Sequence, residues 1–195
     1  MSNPTMSDQF PVIETDRLIL RQPNQQDIED IFEVLSHEEV ARYVGIARFQ
    51  SIAEAENELR WYRDLFEQKQ GLRWAVSDRS TGKFLGSCGY KNYHAVHNKA
   101  EIGYDLNFSW WNKGIMSEAL RPIIAYGFTH MHLNRIEAEA DTRNTASIHL
   151  LQKFGFQVEG IHRETEFENG MYIDLVKLAL LRKEYELNSE KSGSR

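Results

Sequence analysis

The segment Trp111–Leu120 constrains this chain more than any other stretch of its sequence. It follows a strand-like run, Glu101–Phe108, and leads into an apolar segment with helical periodicity, so it predicts a strand, a turn and a new helix. Gly114 lies in that turn, and because it has no Cβ the backbone can approach a phosphate closely. The N–H groups and positive dipole end of such a helix bind anions, for example the pyrophosphate of a nucleotide-like cofactor. An ordinary strand-to-helix connection is the alternative.

The composition predicts one globular domain. A chain of 195 residues, with 41% apolar and 27% charged residues, is long enough to bury a substantial core. The net charge of −6 argues against a nucleic-acid surface, which is usually basic. A polyanionic cofactor would therefore need a locally positive site, and Lys113, Arg143 and Lys153 are candidates to supply it.

Cysteine and hydropathy patterns exclude several classes of protein. Cys88 is the only cysteine, so neither an internal disulfide nor a cysteine-based zinc site is possible. No apolar run approaches the roughly 18 residues that span a bilayer, and the start of the chain lacks the features of a signal peptide. We expect a cytoplasmic protein without membrane contact. His94 and His97 lack further ligands nearby, so we expect no metal.

Periodicity and turn signals predict alternating strands and helices, and hence one mixed sheet with helices on both faces. The predicted strands are 17–22, 73–78, 84–92, 99–108, 135–140, 156–159, 165–168 and 171–180, the last two joined at a hairpin turn, Asn169-Gly170. The predicted helices are 24–35, 51–69, 114–130 and 144–154. We assign residues 15–184 to one domain, 1–14 to a flexible segment and 185–195 to a frayed, charged tail.

Four blocks carry a resemblance to a known family. Trp111–Leu120 resembles the acetyl-coenzyme-A loop of the GNAT superfamily of N-acetyltransferases. The block from Asn144 to Gly160 is similar to the next conserved part of that superfamily. Arg163–Asp174 and Thr15–Arg21 are similar to its ribosomal-protein N-terminal acetyltransferase branch. The blocks occur in order, and the resemblance runs from about residue 15 to 181.

The resemblance implies a fold and a reaction. The fold would be α/β (mixed α+β): a single GNAT-like domain whose mostly antiparallel mixed sheet has about seven strands and is splayed at the cofactor strand. The reaction would transfer an acetyl group from acetyl-CoA to a primary amine without a covalent enzyme intermediate. The acceptor would be the N-terminal α-amino group of a ribosomal or other protein. By the same resemblance, the residues holding acetyl-CoA are Leu106, Asn107, Phe108, Asn112, Lys113, Gly114, Ile115, Met116, Ser117, Asn144 and Lys153.

The resemblance also implies catalytic residues. Many superfamily members use a tyrosine as thiolate acid where this chain has Leu151, so Ser147 would protonate the thiolate instead. Glu166 would take the proton of the amine, directly or through water. Ordinary structural roles remain open for both, as a first-turn helix residue and a solvated hairpin residue. Glu101, on the cofactor strand, is the rival base.

Other functions remain open at this level. The acceptor could be a small amine such as a polyamine or an antibiotic, with Tyr43 and Trp61 as candidate lining residues. A catalytically silent acyl-CoA-binding domain is a second class, since Leu151 replaces the usual acid. A homodimer is neither predicted nor excluded by the sequence.

Overall fold

The computed structural model describes residues 7–168 and 170–193. Across these residues one eight-stranded sheet has the order β1-β2-β3-β4-β5-β6-β8-β7. The strands are β1 (Ile13–Glu14), β2 (Leu18–Arg21), β3 (Leu72–Asp78), β4 (Phe84–His94), β5 (Lys99–Leu106), β6 (Arg135–Asp141), β7 (Gln157–Glu168) and β8 (Met171–Leu181). All neighbours pair antiparallel except β5 and β6, which are parallel.

This sheet confirms the predicted mixed, mostly antiparallel architecture, and its eight strands compare with the about seven that the family resemblance implied. β1 was missed because two residues are too few to show an alternating pattern. The pieces predicted at 156–159 and 165–168 belong to one strand, β7, whose pairing with β8 shifts register between Val158 and Gly160 and again between His162 and Glu166. Such bulges break the period of two on which the prediction depends.

Six α-helices are described, and they cover both faces of the sheet. They are α1 (Ile28–Leu35), α2 (Glu38–Ala41), α3 (Ile52–Glu67), α4 (Ile115–Thr129), α5 (Thr145–Lys153) and α6 (Arg182–Gly193). One buried cluster joins α4 and α5 to the sheet, with Trp74 and Phe128 among its largest side chains. A second joins α1 and α3 to the opposite face, around Ile31 and Tyr62.

Local sequence signals explain where two helices begin. Glu54 accepts a hydrogen bond from the N–H of Ser51 at 2.8 Å, which forms the capping box predicted at the start of α3. Asn24 caps a short 3-10 turn, Gln25–Asp27, that leads into α1. Asp27 in turn accepts from the N–H of Asn24 at 2.8 Å. The starts of α1 and α3 therefore lie within a few residues of the positions that these caps predicted.

Three boundaries differ from the sequence expectation or fall outside the description. β5 ends at Leu106 rather than Phe108, because Phe108–Trp110 turns into a 3-10 helix. Residues 182–193 form α6, where a loose tail was expected from residue 185. Residues 1–6 of the expected flexible segment, Asn169 of the expected turn and 194–195 lie outside the described residues. Among the described helices, none is both long and apolar enough to cross a bilayer.

Candidate active site

The sheet opens where its two parallel strands separate. β5 and β6 pair only at three positions, ending at Glu101 opposite Glu137. Beyond that point β5 continues beside β4 as far as Leu106, and β6 continues beside β8 as far as Asp141. A cleft of about 550 Å³ lies between them, which we call the β5–β6 cleft; it is lined by Ile102–Leu106, Ala138–Ala140 and the starts of α4 and α5. The edge of β5 that faces the cleft is therefore free to pair with an extended ligand.

The start of α4 faces this cleft. The turn before it has two left-handed residues, Asn112 (φ 58°) and Gly114 (φ 76°). The first helical hydrogen bond is donated by Glu118 to the carbonyl of Gly114 at 3.0 Å. The N–H groups of residues 115–117 precede that bond and lie at the cleft wall, which is the arrangement that binds anions at helix starts.

Gly114 has a conformational reason to be glycine. A Cβ added there would lie 3.5 Å from Nη2 of Arg17, an ordinary contact, so space does not exclude a side chain. The positive φ disfavours a side chain at this position, because L residues rarely adopt such an angle without strain. Close approach of a phosphate is one reason for glycine at this position, and the backbone angle is a second reason.

The turn is anchored from outside the cleft by the β1–β2 connection. Arg17 places Nε 2.6 Å from Oε2 of Glu118 and donates from Nη1 to the carbonyl of Lys113 at 3.0 Å. Thr15 donates to Oε1 of Glu118 at 2.6 Å. Burial alone would raise the pKa of Glu118, but these hydrogen bonds outweigh it, and the pKa lies below the ordinary glutamate value. The carboxylate in the first turn of α4 is thus already neutralised.

Lys153 brings positive charge to the part of the cleft near the start of α4. Its Nζ lies 3.4 Å from Oγ of Ser117, and the residue lines the cleft. Nζ of Lys113 lies 5.0 Å from the centroid of the Trp110 ring. Arg143 is engaged by Asp141 and does not line the cleft, contrary to the expectation that it supplies charge here. The unpaired helix amides and Lys153 together fit a diphosphate.

The structure separates the other predicted cofactor residues into two groups. Leu106, Asn112 and Asn144 line the β5–β6 cleft. Asn107 lies outside it, because its N–H donates to Leu85 at 2.7 Å and its side-chain amide donates to Glu33 at 2.7 Å. Phe108 also lies outside, stacked on His37 with ring centroids 4.6 Å apart.

Ser147 lies in the first turn of α5 and faces the cleft. Its N–H donates to Oδ1 of Asn144 at 3.1 Å, so Asn144 caps the helix as expected. Its Oγ is 2.7 Å from the phenol oxygen of Tyr104, on β5. Sequence reasoning assigned Tyr104 only to the cofactor strand; the alternation that puts Ile102, Tyr104 and Leu106 on one face is the signal that could have placed it.

A second cleft, of about 440 Å³, adjoins the first and is closed by the β7–β8 hairpin; we call it the hairpin cleft. Tyr43, Glu101 and Glu139 line both clefts. Seven carboxylate residues line the hairpin cleft against two cationic ones, Arg73 and Lys91. An acceptor entering here would meet a strongly negative surface next to the β5 edge.

Four of the seven carboxylates have ion-pair partners. They pair as Asp105 with Arg73, Glu101 with Lys91, Asp141 with Arg143, and Glu139 with Lys177. Glu101 also accepts from the side-chain amide of Asn92 at 2.9 Å. The remaining three, Glu58, Glu166 and Glu168, make no ion pair within the part of the chain that the structure describes. Net negative charge in this cleft therefore comes from α3 and the hairpin.

Glu166 and Glu168 lie side by side on β7. Burial, together with the hydrogen bond and negative charge of Glu166, raises the pKa of Glu168, and the positive charge of Arg143 opposes this. A Cβ built on Gly45 would lie 3.5 Å from Oε1 of Glu168, so the loop after α2 packs against this pair. The raised pKa favours the protonated form of Glu168, which can donate a hydrogen bond to Glu166.

Glu58 on α3 was not anticipated from the sequence. Burial raises its pKa, although the positive charge of Arg73 acts in the opposite direction. Trp61, one turn further along α3, also lines the hairpin cleft, as does Tyr43. The only sequence signal for Glu58 was its place on a helix that was expected to line an acceptor pocket.

Comparison with known proteins agrees with this geometry. Residues 17–157 match the family model described as the acetyltransferase (GNAT) domain. The chain is 41% identical to "Uncharacterized N-acetyltransferase YoaA" of Bacillus subtilis over 165 residues, covering 85% of this chain and 93% of the relative. It is 30% identical to the same organism's "Putative ribosomal N-acetyltransferase YdaF" over 179 residues, covering 88% and 94%.

A solved structure shares the fold. Spermidine N-acetyltransferase from Vibrio cholerae, in complex with CoA and spermine, superposes with a TM-score of 0.78 at 23% identity, covering 88% of this chain and 99% of that one. The family model spans most of the chain, and the two relatives are aligned over nearly their whole lengths. The chain therefore belongs to the GNAT family, and it is an acetyl-CoA-dependent N-acetyltransferase.

Proposed function

We propose that this enzyme acetylates the N-terminal α-amino group of a protein, by direct attack of the amine on the thioester of acetyl-CoA. The observation that carries this proposal is the junction of the two clefts at Tyr43, Glu101 and Glu139. An acyl group held along β5 and an amine in the hairpin cleft would meet there. The similarity to the relative named as a putative ribosomal N-acetyltransferase supports a protein acceptor.

The β5–β6 cleft would hold acetyl-CoA by its backbone. The amides of residues 112–117, with Lys153, would bind the diphosphate. The pantetheine arm would pair with the open edge of β5 as far as Leu106, and Asn144 would donate to it. Asn107 and Phe108 are less suited to this role, since the N–H of Asn107 already donates to the carbonyl of Leu85. A free N–H on this edge would stabilise the charge that develops on the thioester oxygen.

The catalytic groups would come from three elements. Ser147 would act as the acid for the departing sulfur, and Glu166 as the base for the amine, directly or through water. Glu168 supports this choice, because its hydrogen bond to Glu166 helps to hold the Glu166 side chain at the hairpin cleft. Glu101 is the rival base, but its carboxylate is already engaged by Lys91 and Asn92.

A small polyamine is the second candidate acceptor, and the charge of the hairpin cleft favours it. The three carboxylates that make no ion pair among the described residues would attract a molecule with several ammonium groups more than a peptide with one. Glu58, Glu166 and Glu168 would each gain an ion-pair partner from such an acceptor.

An acceptor screen distinguishes the two candidates. Purified protein, acetyl-CoA and a panel of ribosomal-protein N-terminal peptides, spermidine and aminoglycosides are mixed, thiol release is followed, and products are identified by mass spectrometry. Acetylation of peptides at the α-amino group supports the first candidate, and turnover of spermidine alone replaces it with the second. CoA binding without turnover of any amine would contradict both.

A further inference from the structure

We propose that Tyr104 is a positioning residue for the acid of this reaction: its phenol donates a hydrogen bond to Oγ of Ser147 and leaves the single hydroxyl proton of Ser147 directed at the thioester sulfur. The inference rests on the proposed function, because it assigns a partner to the residue that acts on the leaving thiolate. It adds a residue from β5 to a site otherwise built from α5 and the hairpin.

The geometry fixes Ser147 from two sides. Its backbone N–H is held by Asn144 at 3.1 Å, and its Oγ lies 2.7 Å from Oη of Tyr104. Both hydroxyl groups belong to residues that line the β5–β6 cleft. β5 and α5 are 43 residues apart at this contact, so the sheet and the helix must both be in place before the pair forms.

The direction of the hydrogen bond follows from the available protons. Burial raises the pKa of Tyr104, so its hydroxyl stays protonated throughout the working pH range of such an enzyme. The other acceptor within its reach is the carbonyl of Ser147, at the longer distance of 3.4 Å. The phenol therefore has a proton to donate to Oγ, the nearer of these two acceptors. If Ser147 donated instead, its only proton would be spent on Tyr104 and none would face the sulfur.

The reaction step balances with this arrangement. The lone pair of the amine forms the N–C bond, an N–H proton passes to the carboxylate base, and the C–S bond breaks with its electron pair remaining on sulfur. Ser147 donates to that sulfur, its proton moves there, and solvent water restores it. The hydrogen bond from the phenol of Tyr104 stabilises the serine oxygen while it is short of a proton.

Leu151 explains why a second hydroxyl is needed. It is fully buried, with 1% of its surface exposed, and it contributes no polar atom to the cleft. A serine alone is a weak acid, so its hydroxyl gains from a fixed donor. Tyr104 is the donor that the structure provides.

The test compares wild type with Tyr104→Phe, Ser147→Ala and the double variant. Tyr90→Phe is the matched control, because the Tyr90 phenol is also buried and donates to the carbonyl of Ile123 at 2.8 Å, away from both clefts. Each variant is measured for the dissociation constant of CoA, for kcat and KM with the acceptor that the screen identifies, and for melting temperature. In the free protein, the 13Cζ resonance of Tyr104 is recorded with and without Ser147→Ala, and the Tyr90 resonance serves as reference.

We expect Tyr104→Phe to lower kcat about tenfold with little change in CoA affinity, and the double variant to be no slower than Ser147→Ala. Ser147→Ala should shift the Tyr104 resonance and leave that of Tyr90 unchanged. Tyr90→Phe should lower the melting temperature and keep kcat. An unchanged kcat in Tyr104→Phe, independent effects that multiply in the double variant, or an unmoved Tyr104 resonance would each overturn the inference while the proposed function stands. A wild type that acetylates no amine overturns both.

Discussion

Arg17 and Glu118 are joined across 101 residues of sequence, with Nε 2.6 Å from Oε2. The contact fastens the first turn of α4 to the β1–β2 connection, and Arg17 also holds the carbonyl of Lys113. The turn that is proposed to bind a diphosphate is thus stabilised by residues that do not line the cleft.

Glu118→Gln should weaken this anchor. The pKa of Glu118 is lower in the folded protein than in the unfolded chain, where it is about 4.3. The ionised carboxylate therefore stabilises the fold above about pH 4.3, and this contribution is lost as the pH falls through the pKa of the folded protein. We expect a loss of about 1 kcal/mol at pH 7 and a smaller loss near pH 3. Urea unfolding at the two pH values measures this. Equal losses at both would contradict it.

Gly114→Ala should both destabilise the protein and weaken the binding of CoA. The positive φ predicts a cost of about 1–2 kcal/mol in stability, and the distorted turn should raise the dissociation constant of CoA. Gly82→Ala is the control, because Gly82 has almost the same φ of 75° and no atom within 4 Å of an added Cβ. Calorimetric titration with CoA should show weaker binding only for Gly114→Ala. Weakened binding in both variants, or in neither, would count against the assigned loop.

Ser147→Ala and Glu166→Gln should each lower kcat by about 10²-fold or more while CoA binding changes little. Glu164→Gln, on the same hairpin but outside both clefts, should keep wild-type kcat. Steady-state kinetics with CoA titration checks all three. Full activity in Glu166→Gln would transfer the role of base to Glu101, with Glu101→Gln as the next variant.

Glu168→Gln should stabilise the protein at alkaline pH. Its pKa is raised by burial and by Glu166, with Asp141 adding repulsion and Arg143 opposing it. The protonated carboxyl makes its full contribution to folding stability below about pH 4.3, the pKa of glutamate in the unfolded chain. This contribution is lost as the pH rises through the higher pKa of Glu168 in the folded protein. The variant cannot ionise, so its melting temperature should exceed that of wild type more at pH 8 than at pH 5. The same difference at both pH values would argue against a raised pKa of Glu168.

Asp105→Asn should destabilise strongly, because it leaves the buried guanidinium of Arg73 without its partner 2.8 Å away. We expect a loss of about 3–5 kcal/mol. Arg63→Ala removes an exposed pair on α3 and should cost under about 1 kcal/mol. Denaturant unfolding of both variants measures the contrast, and similar losses in the two would contradict the buried pair's role.

Local signals account for what the sequence predicted well. Three features each depend on residues within a few positions of one another, so they can be predicted from the sequence alone. They are the capping box at Ser51 and Glu54, the cap at Asn144 and the turn at Gly114. The strand alternation predicted the mixed sheet for the same reason. The family resemblance then supplied the splay between β5 and β6, which no local pattern encodes.

Long-range contacts account for what was missed. Tyr104 meets Ser147 only because β5 and α5 face each other, and Glu58 reaches the hairpin cleft only because α3 crosses the opposite face. Asn107 was expected at the cofactor, but its N–H pairs with Leu85, a contact that depends on the register of two strands. Such registers follow from packing rather than from neighbouring residues.

A crystal structure of the protein with bound CoA would show whether the turn at Gly114 holds the diphosphate. We expect the diphosphate on the N–H groups of residues 115–117, with the pantetheine arm beside β5 between Ile102 and Leu106. A diphosphate bound elsewhere, with the turn at Gly114 covered by side chains, would contradict it.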